Sequence, residues 1–203
     1  MASLSPHRPA PYAMPSSRRK NLLIAVLALC WFVALGGLYA WYQSRYIRPF
    51  GETTVLFDAA ALRLPAELAG PGNIRVVHLW DPPCPCNVGN QQHLSELIAR
   101  FAEQGVSFHV WQKPGSRGRL PESLAALQPL RELPGAEQMP ASPAVAIWDR
   151  AGNLAYLGPY SEGAVCTSDN SFIEPILDAL IAGRPVLATG TLAVGCYCPW
   201  ATE

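Results

Sequence analysis

An α/β fold is what this chain predicts: a mixed β-sheet covered by helices, preceded by one N-terminal apolar helix. Three observations lead there. Apolar, β-rich runs at Ile74–Trp80 and Val106–Gln112 flank a segment in which Leu94, Leu97, Ile98 and Phe101 recur at helical spacing. Two further β-rich runs lie on either side of Asp149-Arg150-Ala151-Gly152, a turn cluster suited to a hairpin. Leu22–Tyr42 has no charged residue, and at ~1.5 Å per residue it is long enough for the ~30 Å hydrocarbon core of a bilayer.

Taken in order, Met1–Ser17 is rich in Pro, Ser and Ala without apolar periodicity and reads as a disordered tail. Arg18-Arg19-Lys20 precedes the apolar run, which by the positive-inside rule keeps the N-terminus cytoplasmic, with Trp41 and Tyr42 at the far interface. A cleaved signal peptide and a lipoprotein signal are the alternatives. Leu38-Tyr39-Ala40 is a poor small-x-small site, and Leu29 precedes Cys30 where lipidation wants a small residue. Gln43–Gly51 reads as a linker, Thr53–Phe57 as a strand and Ala59–Leu68 as a weak helix or loop. Pro71-Gly72-Asn73 turns into the Ile74 strand. The helix after Cys86 is expected to end at Gly105, a good residue for the left-handed stop. Lys113–Arg119 reads as a solvated loop, and Leu120–Leu133 as a helix with Pro121 in its first turn. The last helix carries Phe172, Ile173, Ile176, Leu177, Leu180 and Ile181, and stops before Gly183 and Pro185.

The formal net charge is zero and only 15% of residues are charged, so no nucleic-acid partner is expected. Without the N-terminal segment roughly 155 residues remain, enough for one domain with a core. The six cysteines are informative through their clustering. Cys84-x-Cys86 and Cys196-x-Cys198 are close pairs, Cys166 stands alone, and Cys30 lies in the apolar run. Close pairs point to redox or metal chemistry rather than a structural framework. Cys84 and Cys86 follow a strand, Pro82 and Pro83, at the point where a helix begins. There the helix dipole favours thiolate over thiol.

Leu79-Trp80-x-x-x-Cys84 resembles the active-site lead-in of thioredoxin-like proteins, where a strand ends in an aromatic pair and the nucleophilic cysteine follows four residues after the Trp. Ser142-Pro143-Ala144-Val145-Ala146-Ile147-Trp148-Asp149, with Gly152-Asn153-Leu154 and Gly158-Pro159-Tyr160, is similar to that fold's second signature, a cis-proline opening a strand that a hairpin returns. The two signatures and the helices around them cover roughly Thr53–Ala182, and the nearest likeness is to membrane-anchored bacterial thiol–disulfide proteins of the TlpA/ResA type. One departure stands out: Asn87 occupies the place of the family's second cysteine, and Cys86 comes one residue early.

The residues place 1–20 as a cytoplasmic tail, 21–43 as the membrane anchor and 184–203 as an extension carrying the second pair, and the resemblance implies 44–183 as a thioredoxin-like domain. It implies a bacterial inner-membrane protein with one span and its domain in the periplasm. It also implies Cys84 as attacking thiol, Cys86 as its resolving partner, and a cis Pro143 beside the Cys84 sulfur that leaves the Ser142 backbone free to pair with an extended substrate. His78 takes the place of a buried acid that exchanges protons with the resolving thiol; the alternative is a core histidine bonded to backbone. His93 and His109 lack metal spacing and read as structural or surface residues. Cys166 reads as a third redox partner, a small buried residue, or one end of a structural bridge.

Three functions follow. The leading one is a tethered thiol–disulfide oxidoreductase without cofactor. Its partners are protein thiol or disulfide clients and, near the bilayer, an electron-delivering membrane protein or a cytochrome or oxidase under assembly. The second is a copper-handling protein or metallochaperone, since Cys84, Cys86, Cys196 and Cys198 suit Cu(I). The third is a binding module that keeps the fold without catalysis. The tail carries its own expectation. From Gly183 to Cys196 the chain spans up to about 43 Å at roughly 3.3 Å per residue, enough to turn back after a helix of about 16 Å. Its cysteines are therefore expected within exchange distance of Cys84 and Cys86 as a relay, with Val186-Leu187-Ala188 and Leu192-Ala193-Val194 as docking residues. The alternative is a bridge from Cys166 to Cys196 or Cys198.

Overall fold

Strand β2, Ile74–Trp80, is buried along its whole length, as its largely apolar run suits, with Arg75 and His78 the buried polar exceptions. Its neighbours build the sheet. Strand β3, Val106–Gln112, pairs with it in parallel from Ile74↔Val106 to Trp80↔Gln112. Helix α2, Val88–Phe101, makes the crossover between them. On the other side β6, Ala144–Trp148, runs antiparallel to β2, and β7, Leu154–Gly158, returns antiparallel to β6 around the Asp149 turn. Short strands β4, Gln128–Pro129, and β8, Ala188–Thr189, complete the six-stranded order β4-β3-β2-β6-β7-β8. This is the expected mixed sheet flanked by helices. A computed structural model describes residues 17–50, 61–186, 188–189 and 193–200.

Strand alternation sorts the interior into two layers. Ile74, Val76 and Trp80 of β2 face Leu94, Leu97 and Phe101 of α2 and Ile173, Ile176 and Leu177 of α3, the helix Ile173–Ile181. Val77 and Leu79 face the opposite way, into a cluster with Trp111, Leu133, Met139, Trp148 and Trp200. The 3₁₀ turn Glu103 sits in, Ala102–Gln104, ends at Gly105 in the left-handed region (φ 81°), the stop expected there. Buried Arg75 is held by the carbonyls of Asp149, Leu68 and Gly70 and ties the hairpin turn to the segment before β2.

Two expectations are corrected. Leu120–Leu133 is not a helix. It contains only the 3₁₀ turn Glu122–Leu124 and strand β4, which pairs in parallel with β3 at His109↔Gln128. Pro129 has no N–H to give a helix. The segment also supplies Leu124 and Leu127 to one core layer and Leu133 to the other, so it must run extended around the sheet edge. Gln43–Gly51 is not merely a linker, because Ile47–Pro49 forms strand β1. His93 and His109 are both buried, bonded to the Ser171 and Ser107 hydroxyls at 2.9 and 3.1 Å, which is the structural of the two readings held open for them. The Thr53–Phe57 strand lies outside the described residues, as do Ala59 of the expected weak helix and the docking residues Leu187 and Leu192. Within 61–68 a 3₁₀ turn, Ala66–Leu68, is present.

Helix α1, Ser17–Tyr46, has 30 residues and is long and apolar enough to cross a membrane. That suits an anchor or a signal sequence. The chain divides at Gln43/Ser44 into two compact units, and the sheet belongs wholly to the second.

Candidate functional site at the paired cysteines

After Trp80 the chain leaves the sheet in a tight turn in which the Cys84 amide donates to the Asp81 carbonyl at 2.9 Å. Cys84 precedes a 3₁₀ turn, Pro85–Asn87, whose proline fills the position where no amide partner is needed, and α2 begins at Val88. Cys84 therefore stands one short turn ahead of the α-helix. Asn87, in the place of the absent second cysteine, donates through Nδ2 to the Asp81 carbonyl at 2.8 Å and braces the loop. Lys113 pairs with the Asp81 carboxylate at 3.3 Å.

The tail returns to this loop, as the chain-length argument allowed. Strand β9, Val194–Cys196, lies antiparallel to β1 with Ile47↔Cys196, and β10, Cys198–Pro199, lies antiparallel to β5, Ala141–Ser142, with Cys198↔Ser142. Cys196 and Cys198 are two residues apart on extended chain and so present their sulfurs to one side. Two disulfides result: Cys84–Cys198 (S–S 2.11 Å) and Cys86–Cys196 (2.08 Å). In this oxidised state both bonds cross between the two motifs, and neither joins Cys84 to Cys86. The alternative bridge from Cys166 to the tail is also absent, because Cys166 is free and buried. The sulfurs of Cys84, Cys86 and Cys198 all lie within 4.8 Å of one another.

The Ser142–Pro143 peptide bond is cis, as the resemblance implied. The Cys84 sulfur lies 3.7 Å from the Ser142 carbonyl oxygen. Ser142 is not free for a substrate, however: its strand partner is Cys198. Sequence reasoning missed this occupancy because pairing across 56 residues leaves no local pattern. A cleft of about 180 Å³ reaches the Cys84–Cys198 bond, lined by Arg45, Tyr46, Arg48, Asp81 and Pro199 among others.

His78 lies on the layer facing α2 and α3. Its Nδ1 is 2.7 Å from the Tyr160 hydroxyl, and complete burial pushes its pKa down to about 3. An imidazole so reluctant to take a proton is a poor proton carrier near neutral pH. The structure thus favours the core-histidine reading, with a tyrosine hydroxyl as the ring's side-chain partner. Burial also pushes the Cys166 thiol up to about 11, beside the hydroxyls of Ser161 and Ser171. Its amide donates to the Gly89 carbonyl at 2.9 Å, which fixes its loop on the first turn of α2. A Cβ on Gly89 would come within 2.3 Å of the Ala164 carbonyl oxygen, so that contact requires glycine.

The cis-proline, the parallel β2–α2–β3 unit, the β6–β7 hairpin and the cysteine one short turn ahead of α2 together make the architecture thioredoxin-like. Comparisons of structure find an uncharacterized conserved protein from Geobacillus kaustophilus (19% identity, TM-score 0.49, covering 78% of this chain and 88% of that one). They also find a hypothetical protein from Sinorhizobium meliloti (17%, 0.47, 63% and 79%). A third is MTB dsbF in its mixed oxidized and reduced forms (18%, 0.40, 54% and 82%). No curated protein matches the chain. A family model does match, over residues 53–200, and the chain belongs to that family, the domain of unknown function DUF6436.

Proposed function

We propose that the protein is a membrane-tethered, extracytoplasmic thiol–disulfide oxidoreductase that works through four sulfurs instead of two. The thioredoxin-like fold and the bonded cysteine pairs support a thiol–disulfide redox role in general. The observation that carries the finer reading is the clustering of the Cys84, Cys86 and Cys198 sulfurs within 4.8 Å beside the cis-proline. A client thiolate attacks Cys84 and expels Cys198 as thiolate. A second client thiolate then attacks the client sulfur, closing the client disulfide and releasing Cys84. The Cys84 thiolate next attacks Cys86, breaking Cys86–Cys196 and leaving Cys196 as thiolate, so the second oxidising equivalent moves to the site. Each step breaks one S–S bond and forms one, and the displaced thiolates take protons from water. Run backwards, the same steps reduce a client disulfide. Clients are protein thiols or disulfides, and α1 would keep the protein close to membrane-bound partners such as an electron donor or a cytochrome or oxidase assembly factor.

The pairing alters the trapping experiment. Cys198 is the thiol released from Cys84, and replacing Cys86 frees Cys196 beside it, so all three are replaced: Cys86→Ser/Cys196→Ser/Cys198→Ser, with Cys84 the remaining thiol of the cluster, should accumulate disulfide-bearing clients bound to Cys84. Insulin reduction retained in Cys84→Ser, with nothing trapped, would refute the proposal. A second reading has the same clustering behind it. When reduced, the Cys84, Cys86 and Cys198 thiolates, with Cys196 beside them, form a soft sulfur site suited to Cu(I). Stoichiometric copper on the reduced chain without disulfide exchange favours that reading.

A further inference from the structure

The tail makes three kinds of contact where it meets the cis-proline. Cys198 pairs antiparallel with Ser142, the residue before cis Pro143, and its sulfur is bonded to Cys84. Trp200, two residues on, is buried in the second core layer and stacks on Trp111 with ring centroids 5.6 Å apart, while its amide donates to the Pro140 carbonyl at 3.2 Å. Upstream, the Tyr197 amide donates to the Tyr46 carbonyl at 3.0 Å, and its ring packs edge-on against Phe50. Gly195 sits so close to Gly163 that a Cβ would lie 2.4 Å from the Gly163 carbonyl oxygen. A strand on Ser142, a disulfide to Cys84 and a side chain in an apolar seat are together what a foreign cysteine-bearing strand would need in order to bind here.

We propose that Gly195–Trp200 is a built-in, displaceable occupant of the client site. The oxidised chain is then an intramolecular mixed disulfide, and its clients are extended protein segments carrying a cysteine with an apolar residue shortly after it. This rests on the oxidoreductase reading above. In the displacement, the client thiolate bonds to the Cys84 sulfur, the Cys84–Cys198 bond breaks, and its electron pair leaves with Cys198, which is protonated by water. The Cys86–Cys196 bond still holds the tail two residues away. Cys198 therefore remains at high effective concentration and can expel a client that fits the strand site poorly. The tail thus acts as a selectivity filter as well as a plug.

The test uses the full chain in detergent as Cys86→Ser/Cys196→Ser, which leaves Cys84–Cys198 alone. The probes are a synthetic peptide of residues 193–200 with serine for Cys196, the same residues in scrambled order, and glutathione. Mixed disulfide on Cys84 is followed by mass spectrometry. The native-order peptide is expected to react about tenfold or more faster than the scrambled one. Trp200→Ala in the chain should raise the peptide rate by about tenfold or more and the glutathione rate much less, since seating a strand depends on the vacated groove and the small thiol does not. Trp200→Leu, which keeps apolar volume and removes the stacking, serves if the alanine variant does not fold. Equal rates for the two peptides, or an equal rise for peptide and glutathione, would overturn the inference while leaving the oxidoreductase reading intact. No mixed disulfide on Cys84 with any probe would remove both.

Discussion

Removing the disulfides one at a time should have very unequal consequences. The bonds are nested: Cys84–Cys198 spans 114 residues and Cys86–Cys196 spans 110. In the chain-entropy account a loop of that size is worth about 4.8 kcal/mol of stability. Once either bond is in place, the other closes only the small ring through Pro85 and Tyr197. A ring of roughly five residues is worth about 2 kcal/mol in the same account. Cys84→Ser/Cys198→Ser and Cys86→Ser/Cys196→Ser should therefore each lose about 2 kcal/mol, and the fourfold serine variant about 7 kcal/mol. Urea unfolding of each oxidised protein, followed by tryptophan fluorescence, measures this. Trp200 and Trp111 make the tail's seat a direct reporter. The reasoning fails if each pair costs about half of the fourfold variant, for the bonds would then act independently. It fails equally if the fourfold variant loses no more than one pair does.

Acid should destabilise the fold through His78. Its folded pKa is about 3, against about 6.5 in the unfolded chain, so between those values only the unfolded state takes the proton. The stabilisation is complete above the unfolded value and falls as pH drops, by roughly 2.5–3 kcal/mol at pH 4.5. His93 and His109, both lowered chiefly by burial, act in the same direction. His78→Leu/Tyr160→Phe should flatten the urea-derived stability profile over that window, and an unchanged slope would count against the assignment. Gly195→Ala should cost about 1–3 kcal/mol through overpacking against Gly163 and Tyr197 and should speed dithiothreitol reduction of both disulfides; wild-type reduction kinetics would contradict the close packing. Cys166, with its thiol pushed up to about 11, should alkylate at pH 8 at least about 100-fold more slowly than a model thiol until the protein is unfolded, which mass mapping of Cys166 would show.

The central elements were legible because their signals are local. The apolar run of β2, the helical spacing of Leu94, Leu97 and Phe101, the stop at Gly105 and the β6–β7 hairpin each follow from residues within a few positions of one another. Pro143 was legible as cis through its likeness to a known signature. Leu120–Leu133 misled because its leucines fit a helix in isolation, whereas two core layers on opposite sides of the sheet divide them. The chain's length and apolar residues allowed the tail to return, but not which sulfur would meet which. That choice rests on β1 and β5, short strands whose partners, β9 and β10, lie far along the chain. Their registers place Cys196 opposite Ile47 and Cys198 opposite Ser142, and the two crossed disulfides follow. Strands of two or three residues have almost no periodicity of their own, so only the folded sheet and its loops could select the pairing.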